Sequence, residues 1–381
     1  MNLTKLNKIT GVAAVLLVLL LASCKGDSYL NALPAKATAI VAVDLEKSGI
    51  NVEAEGLDKS QKIYFFETND GMLGMVAQCT SGANGFKFID NRWVCGYDDG
   101  KMVVLGPVLP AQREETERRI TRLLEQDEED SAVGEFLFNR LDSIDAPIAL
   151  VAQSAALPED FAAPFTLGAP KNTDPSLVCI EAQMTLQDGV LRIKGRNFSQ
   201  NRQLDAALAE SAKIFRPLKG AFEQDSKKQL FSLLMNVEGS QLLPLMQQNG
   251  GLQALLAGIN TAVDMDNIIR SVGGDMALMV NNAQLDMTMK AQLGKTDFLK
   301  DIDYWKSSCP AGSRITDRGR NQWTFDNGDM EFRFEVTDEN TFIGQLVHKK
   351  KSTDPGVFDT ALGMLKSYIG DIKSIIYTID N

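Results

Sequence analysis

Residues 177–196 read LVCIEAQMTLQDGVLRIKGR, and the reading of this stretch decides the fold. Val178, Ile180, Ala182, Met184 and Leu186 fall on one side of an extended chain, because successive side chains of a strand point to opposite faces. Asp188-Gly189 supplies a turn of the kind that tolerates positive φ, and Arg192, Lys194 and Arg196 then occupy the polar side of the returning strand. One covered face and one wet face is the habit of antiparallel sheets. The hairpin therefore predicts an α+β fold, with antiparallel β-sheets each packed against helices on one face.

Upstream, ATAIVAVDL (37–45) reads as a buried strand, continuous rather than alternating. KIYFFE, GMLGMVAQ, FKFI, RWVCGY and KMVVLG follow at short spacing, with Asn-Asp-Gly and Asp-Asp-Gly turns among them, which predicts an antiparallel meander. PAQREETERRITRLLEQDEED (110–130) is a helix: Pro110 suits its first turn, Glu114–Arg118 and Glu115–Arg119 support it at i,i+4, and Ile120, Leu123 and Leu124 form its apolar side. Its charge reads as a solvated face. A second short helix near 132–141 leads into APIALVAQ.

Residues 153–176 contain Pro158, Pro164, Pro170 and Pro175 with little periodicity. The expected organisation is a leader at 1–23, a tether at 24–36, a first α+β domain at 37–155, a linker or crossing loop at 156–176, and a second α+β domain at 177–381. In the second domain, helices are expected at 201–218, 226–236, 239–260 (broken at Gly250-Gly251), 264–271 and 357–369. DMALMV and LDMTMKAQL form one strand pair, Asn327-Gly328 links QWTF to MEFRFEV, and SIIYTI is a terminal strand. Methionine at strand spacing reads as core filling.

One arrangement occurs three times: RLDSIDAPIALVAQ, IIRSVGGDMALMVN and KSYIGDIKSIIYTI each end a helix, turn, and enter an apolar strand. WVCGYDDGKMVVLG is echoed by WTFDNGDMEFRFEV. Such recurrence predicts a duplicated unit.

Eleven apolar residues, Val12 to Ala22, follow Lys5 and Lys8 and stop at Leu21-Ala22-Ser23-Cys24. A spanning helix needs roughly 20 apolar residues, so this is the charged and apolar part of a secretory leader. The last four residues resemble the lipobox of bacterial lipoproteins. That resemblance implies cleavage before Cys24, a diacylglycerol thioether on its sulfur and an acyl group on its new amine. Several acyl chains anchor stably where one is marginal. Lys25, Gly26 and Asp27 after the cysteine look like an outer-membrane lipoprotein, facing either the periplasm or the cell surface.

Cleavage leaves 358 residues, enough for two domains or one large one. Apolar residues make up 44% of the chain, ordinary for a globular protein. Its net charge of −11 gives no electrostatic case for nucleic acid or anionic headgroups, so the membrane link is the lipid. Cys79, Cys95, Cys179 and Cys309 are too few for a disulfide scaffold. Cys79 and Cys95 are candidates for a cross-strand bridge, with free buried thiols the alternative.

The lipobox, the early LPAKATAIVAVDL strand and the GGDMALMV strand entry together resemble a family of Bacteroidales outer-membrane lipoproteins of unknown function. The resemblance covers most of the mature chain. It implies a cell-envelope location and brings no catalytic residues.

The sole histidine, His348, lies in VHKKK, and HExxH, CxxC, G-x-S-x-G, phosphate-loop and dinucleotide patterns are absent from the sequence. No catalytic or metal-ligating residues are assigned and no cofactor is expected. Asp264/Asp266 and Asp301/Asp303 are close pairs, yet they fall at helix starts, where acids are favoured anyway. Three Asp-Ser/Thr triplets resemble the acceptor for Bacteroidetes O-glycosylation, and Ser131 in EEDSA is the one expected to be exposed.

Two function classes follow. The first is a lipid-anchored envelope protein with a non-catalytic binding, accessory or structural role, its partner an outer-membrane protein or an envelope glycan. The alternative is a polysaccharide-directed hydrolase using an Asp/Glu pair.

Overall fold

The hairpin at 177–196 forms as its alternation requires. Strands β8 (Cys179–Gln187) and β9 (Val190–Phe198) pair antiparallel in one unbroken register, from Cys179–Phe198 to Gln187–Val190. Asp188 and Gly189 turn with φ of 53° and 79°. The computed structural model describes residues 28–379 except 53, 55, 81–83, 158–161, 163, 164, 223–228, 251, 254–259, 261, 283 and 351–371. The leader, Leu21, Ala22, Ser23, Cys24 and the helix expected at 357–369 lie outside the described residues.

The described chain is a mixed α+β protein of seventeen strands and seven helices. It divides into two compact units, Met1–Leu45 with Val52–Ser143, and Glu46–Asn51 with Ile144–Asn381. Among the described residues, no helix is long and apolar enough to cross a membrane.

Unit 1 carries β1 (Ala37–Val43), β2 (Ile63–Thr68), β3 (Leu73–Gln78), β4 (Gly85–Ile89), β5 (Trp93–Asp98) and β6 (Lys101–Gly106). They run in the order β1-β2-β3-β6-β5-β4, every pair antiparallel. A single turn, α1 (Leu45–Ser48), follows β1. Helix α2 (Arg113–Leu124) buries Thr116, Ile120, Leu123 and Leu124 and packs on β5 and β6. Gly96 makes this approach possible, since a Cβ there would stand 2.4 Å from Cγ2 of Ile120. Helix α3 (Phe136–Asp142) sends Phe138 against Tyr64, which also meets Tyr29.

Tyr29 belongs to the segment expected as a tether. From residue 29 onward that segment is packed instead. Tyr29 is 4% exposed and Leu33 fully buried, and the Gln126 amide donates to the carbonyls of Asn31 and Leu33. Three large apolar side chains, Tyr29, Leu30 and Leu33, gain more from burial than a short free segment gains from disorder.

Unit 2 builds an eleven-stranded sheet. Besides β8 and β9 it contains β7 (Ile148–Gln153), β10 (Phe231–Glu238), β11 (Val272–Val280), β12 (Met287–Leu293), β13 (Arg314–Gly319), β14 (Gln322–Asp326), β15 (Met330–Val336), β16 (Thr341–His348) and β17 (Ser374–Thr378). The order is β7-β8-β9-β17-β10-β11-β12-β16-β15-β14-β13. Its helices are α4 (Arg202–Ala212), α5 (Gly239–Gln248), α6 (Met265–Arg270) and α7 (Ile302–Ser307).

Two expectations are corrected here. The sheet is not wholly antiparallel, because β17 runs parallel to both β9 and β10. Nor is 226–236 a helix: its described C-terminal part enters β10, buried along nearly its whole length between β11 and β17. An unbroken apolar run such as FSLLMNV has no period that separates a doubly buried strand from a buried helix.

The GGD of GGDMALMV also finds its reason. The β11–β12 register shifts between Val272 and Met276, so residues 273–275 form a bulge. A Cβ on Gly274 would stand 2.5 Å from the Gln292 side chain, whose oxygen accepts from the Asp275 N–H at 3.0 Å. Asp275, 2% exposed, accepts from the N–H groups of Lys219 and Ala221 and from Nδ2 of Asn236. Asn236 in turn accepts from Nε of Arg216, which pairs with Glu238. A buried acid thus latches the 216–221 segment onto the sheet.

Candidate functional site

Among the described residues, the connection between β7 and β8 walls a concave site of unit 2. Phe165 pins this segment, its ring centroid 4.4 Å from that of Tyr377 on β17 and 6.4 Å from that of Phe231 on β10. Gly168, at φ of 98°, brings the chain so close to α4 that a Cβ would lie 3.0 Å from Cβ of Ser211. Nδ2 of Asn197 donates to the Leu167 carbonyl at 3.2 Å. So anchored, the segment faces the C-terminal end of α5 across a cavity of about 500 Å³.

Ala155, Leu157, Ala162, Ala169, Pro175 and Val178 give its apolar lining, and Gln248, Asn249 and Gly250 close the α5 end. The hydroxyl-bearing walls are committed elsewhere. Oγ of Ser154 donates to the Pro175 carbonyl at 2.8 Å, Oγ1 of Thr166 to Ala162 at 3.2 Å and Oγ1 of Thr173 to Pro170 at 2.7 Å. Every described lining residue is uncharged. The volume falls in the range of small-molecule sites.

The residues singled out in the sequence lie outside this cavity, and Asn267 bonds to one member of each acid pair, Asp264 and Asp301. Asp264 caps α6, accepting from the Asn267 N–H at 2.9 Å. Asp266 accepts from Gln247, Asp301 from Nδ2 of Asn267, and Asp303 pairs with Lys306 at 3.3 Å. His348 ends β16, where its N–H donates to Asp286 at 2.7 Å and its Nδ1 lies 3.5 Å from the same oxygen.

Ser131 is not exposed. It is 2% accessible, its Oγ donating to the Glu128 carbonyl and accepting from the Val133 N–H. The turn after the acidic run needs that hydroxyl, so glycosylation there would have to break it. Cys79 and Cys95 are free thiols. They sit on or just beyond β3 and β5, with β6 between. Two strand spacings of ~4.8 Å exceed the ~7 Å Cα–Cα reach of a disulfide. Burial, with Cys95 adding to it, pushes the Cys79 thiol up to about 11, and burial alone takes Cys179 to about 11.

The cavity was missed because its residues carry no reactive pattern. Of the prolines read as a boundary, Pro175 lines the cavity, and the small residues Ala155, Ala162 and Ala169 were the further available signal.

Comparison with known proteins gives a family of unassigned role. The profile of a domain of unknown function, DUF4836, matches residues 73–354. No curated protein sequence matches. Among solved structures, crystal form I of TP0453 aligns with a TM-score of 0.28 at 9% identity, covering 89% of this chain and 97% of that one. Crystal form III of TP0453 aligns with a TM-score of 0.23 at 9% identity, covering 84% and 93%. Both scores are below the level of a shared fold.

Proposed function

The chain belongs to the DUF4836 family, a domain of unknown function, and we propose that it is a lipid-anchored cell-envelope protein with a binding rather than a catalytic role. Lys5, Lys8, the apolar run and Leu21-Ala22-Ser23-Cys24 support export and lipidation. Acylated Cys24 then holds the protein on the outer membrane, toward the periplasm or the surface. The Bacteroidales origin is part of the same reading. We also read the paired β5–β6 and β14–β15 hairpins, with their matching WVCGYDDGKMVVLG and WTFDNGDMEFRFEV sequences, as marks of an old duplication of an α+β unit with helices on one sheet face.

One observation carries the binding role: a cavity of about 500 Å³ walled by small neutral side chains whose hydroxyls are bonded to backbone carbonyls. Such a wall can hold a small, neutral, largely apolar group. The close acid pairs support the same reading, since a helix cap at Asp264, an ion pair at Asp303 and side-chain amides at Asp266 and Asp301 already engage them.

The test is a titration of the purified protein with Nile red, a neutral solvatochromic dye, against an Ala155→Trp variant that fills the cavity from its exposed rim. Saturable, blue-shifted emission that the variant loses supports the reading. Emission unchanged by the filling, or none in the parent protein, counts against it.

A further inference from the structure

The sheet of unit 1 ends at β4, and among the described residues β4 pairs with β5 alone. A terminal strand leaves a row of backbone donors and acceptors open, which folded proteins ordinarily guard with charge, proline or bulges. The far strand of unit 2 is guarded in this way. In β13, Arg314, Asp317 and Arg318 are exposed, and Asp317 pairs with Lys306 at 2.8 Å.

β4 reads Gly85-Phe86-Lys87-Phe88-Ile89, so Lys87 is the one charge on an otherwise apolar edge that has no proline. Phe86 is 39% and Ile89 41% exposed. The two faces of the strand differ. Phe86 lies on the α2 side, near the space that Gly96 leaves beside Ile120. Phe88, two residues on, has the Arg113 guanidinium 5.3 Å from its ring centroid, and Arg113 also pairs with Glu117. Lys87 stands on the other face, its Nζ 5.6 Å from the Tyr97 centroid. Asp90 and the exposed Arg92 follow in the β4–β5 turn.

We propose that β4 is a docking edge that takes an extended, acidic segment of a partner protein as an added strand. Backbone pairing supplies the attachment and alternate side chains supply the choice. Apolar residues of the incoming strand lie beside Phe86 and Phe88, and its carboxylates meet Lys87. Charge favours this occupant: the one charged side chain of the strand is a lysine, in a chain of net charge −11, so an acidic segment meets an opposite charge at this edge. A second copy docked edge to edge, centred on Lys87, would set one lysine against another, which is unfavourable.

The experiment titrates the full-length, detergent-solubilised protein with short labelled peptides and reads fluorescence anisotropy. One peptide alternates valine with glutamate, a second alternates valine with lysine, and a third is the glutamate peptide with alternate backbone nitrogens methylated. The glutamate peptide binds saturably, the lysine peptide at least about tenfold more weakly, and the methylated peptide not at all. Lys87→Glu inverts the preference, and Phe86→Asp weakens binding while circular dichroism stays unchanged. Equal affinity for both charges, no binding of either peptide, or indifference to Lys87→Glu overturns the proposal. Concentration-dependent dimerisation that Phe86→Asp abolishes also overturns it, by assigning the edge to a second copy.

Discussion

The two sheets assemble their middles differently. In unit 1 each of these pairings joins segments of one short stretch of chain: β6 returns to pair with β3, and the hairpin β4–β5 that precedes it in sequence adds outside β6. In unit 2 the centre is closed by β17, which arrives from the end of the chain and runs parallel to β9 and β10. Beside it, β10 and β11 carry the buried Asn236 and Asp275. Local turns and alternation are enough to set the register of the first sheet. The second, with buried apolar residues on both sides of its central strands, has weaker alternation there, and the Asp275 latch distinguishes one face from the other.

The strongest way to break this contrast is Asp275→Ala. It leaves the N–H groups of Lys219 and Ala221 and the Asn236 amide without their buried acceptor. The expected loss is about 3–5 kcal/mol in the stability of unit 2. In urea, the transition of unit 2 moves to lower concentration while that of unit 1 stays in place. Movement of both together would show that the latch serves more than its own sheet.

Unit 1 has a surface counterpart of far smaller effect. Arg119 on α2 pairs with Asp70 in the β2–β3 turn at 2.8 Å, and Asp70 also accepts from Thr68. These bonds, Arg119 first, hold the Asp70 carboxyl well below the usual carboxylate range. A depressed acid contributes stability above its unfolded pKa of about 3.9 and loses it as pH falls through the folded value. Asp70 is 54% exposed, so solvent screening leaves about 0.5 kcal/mol. Arg119→Ala should cost that amount at pH 7 and flatten the acid limb of unit 1 between about pH 5 and 2. An acid limb identical in both proteins would remove the pair from the account.

The same contrast explains what could be read without coordinates. The hairpins at Asp188-Gly189 and Asp99-Gly100 were legible because their turn residues dictate positive φ and their flanks alternate. The strand at 231–238 was not, since burial on both faces erases its period. The insertion of β17 depends on pairing between distant segments, which local pattern does not encode. At the candidate site, the prolines were visible, but not that Pro175 lines a cavity. Ser131 looked exposed amid acids, yet its hydroxyl closes the turn that follows them.

Attachment to the envelope is the claim on which the functional reading stands, and mass spectrometry of the mature N-terminus tests it most directly. The account predicts a chain beginning at Cys24, with diacylglycerol on sulfur and a fatty acid on the amine. A free thiol at that position, or a leader still joined to it, would contradict it.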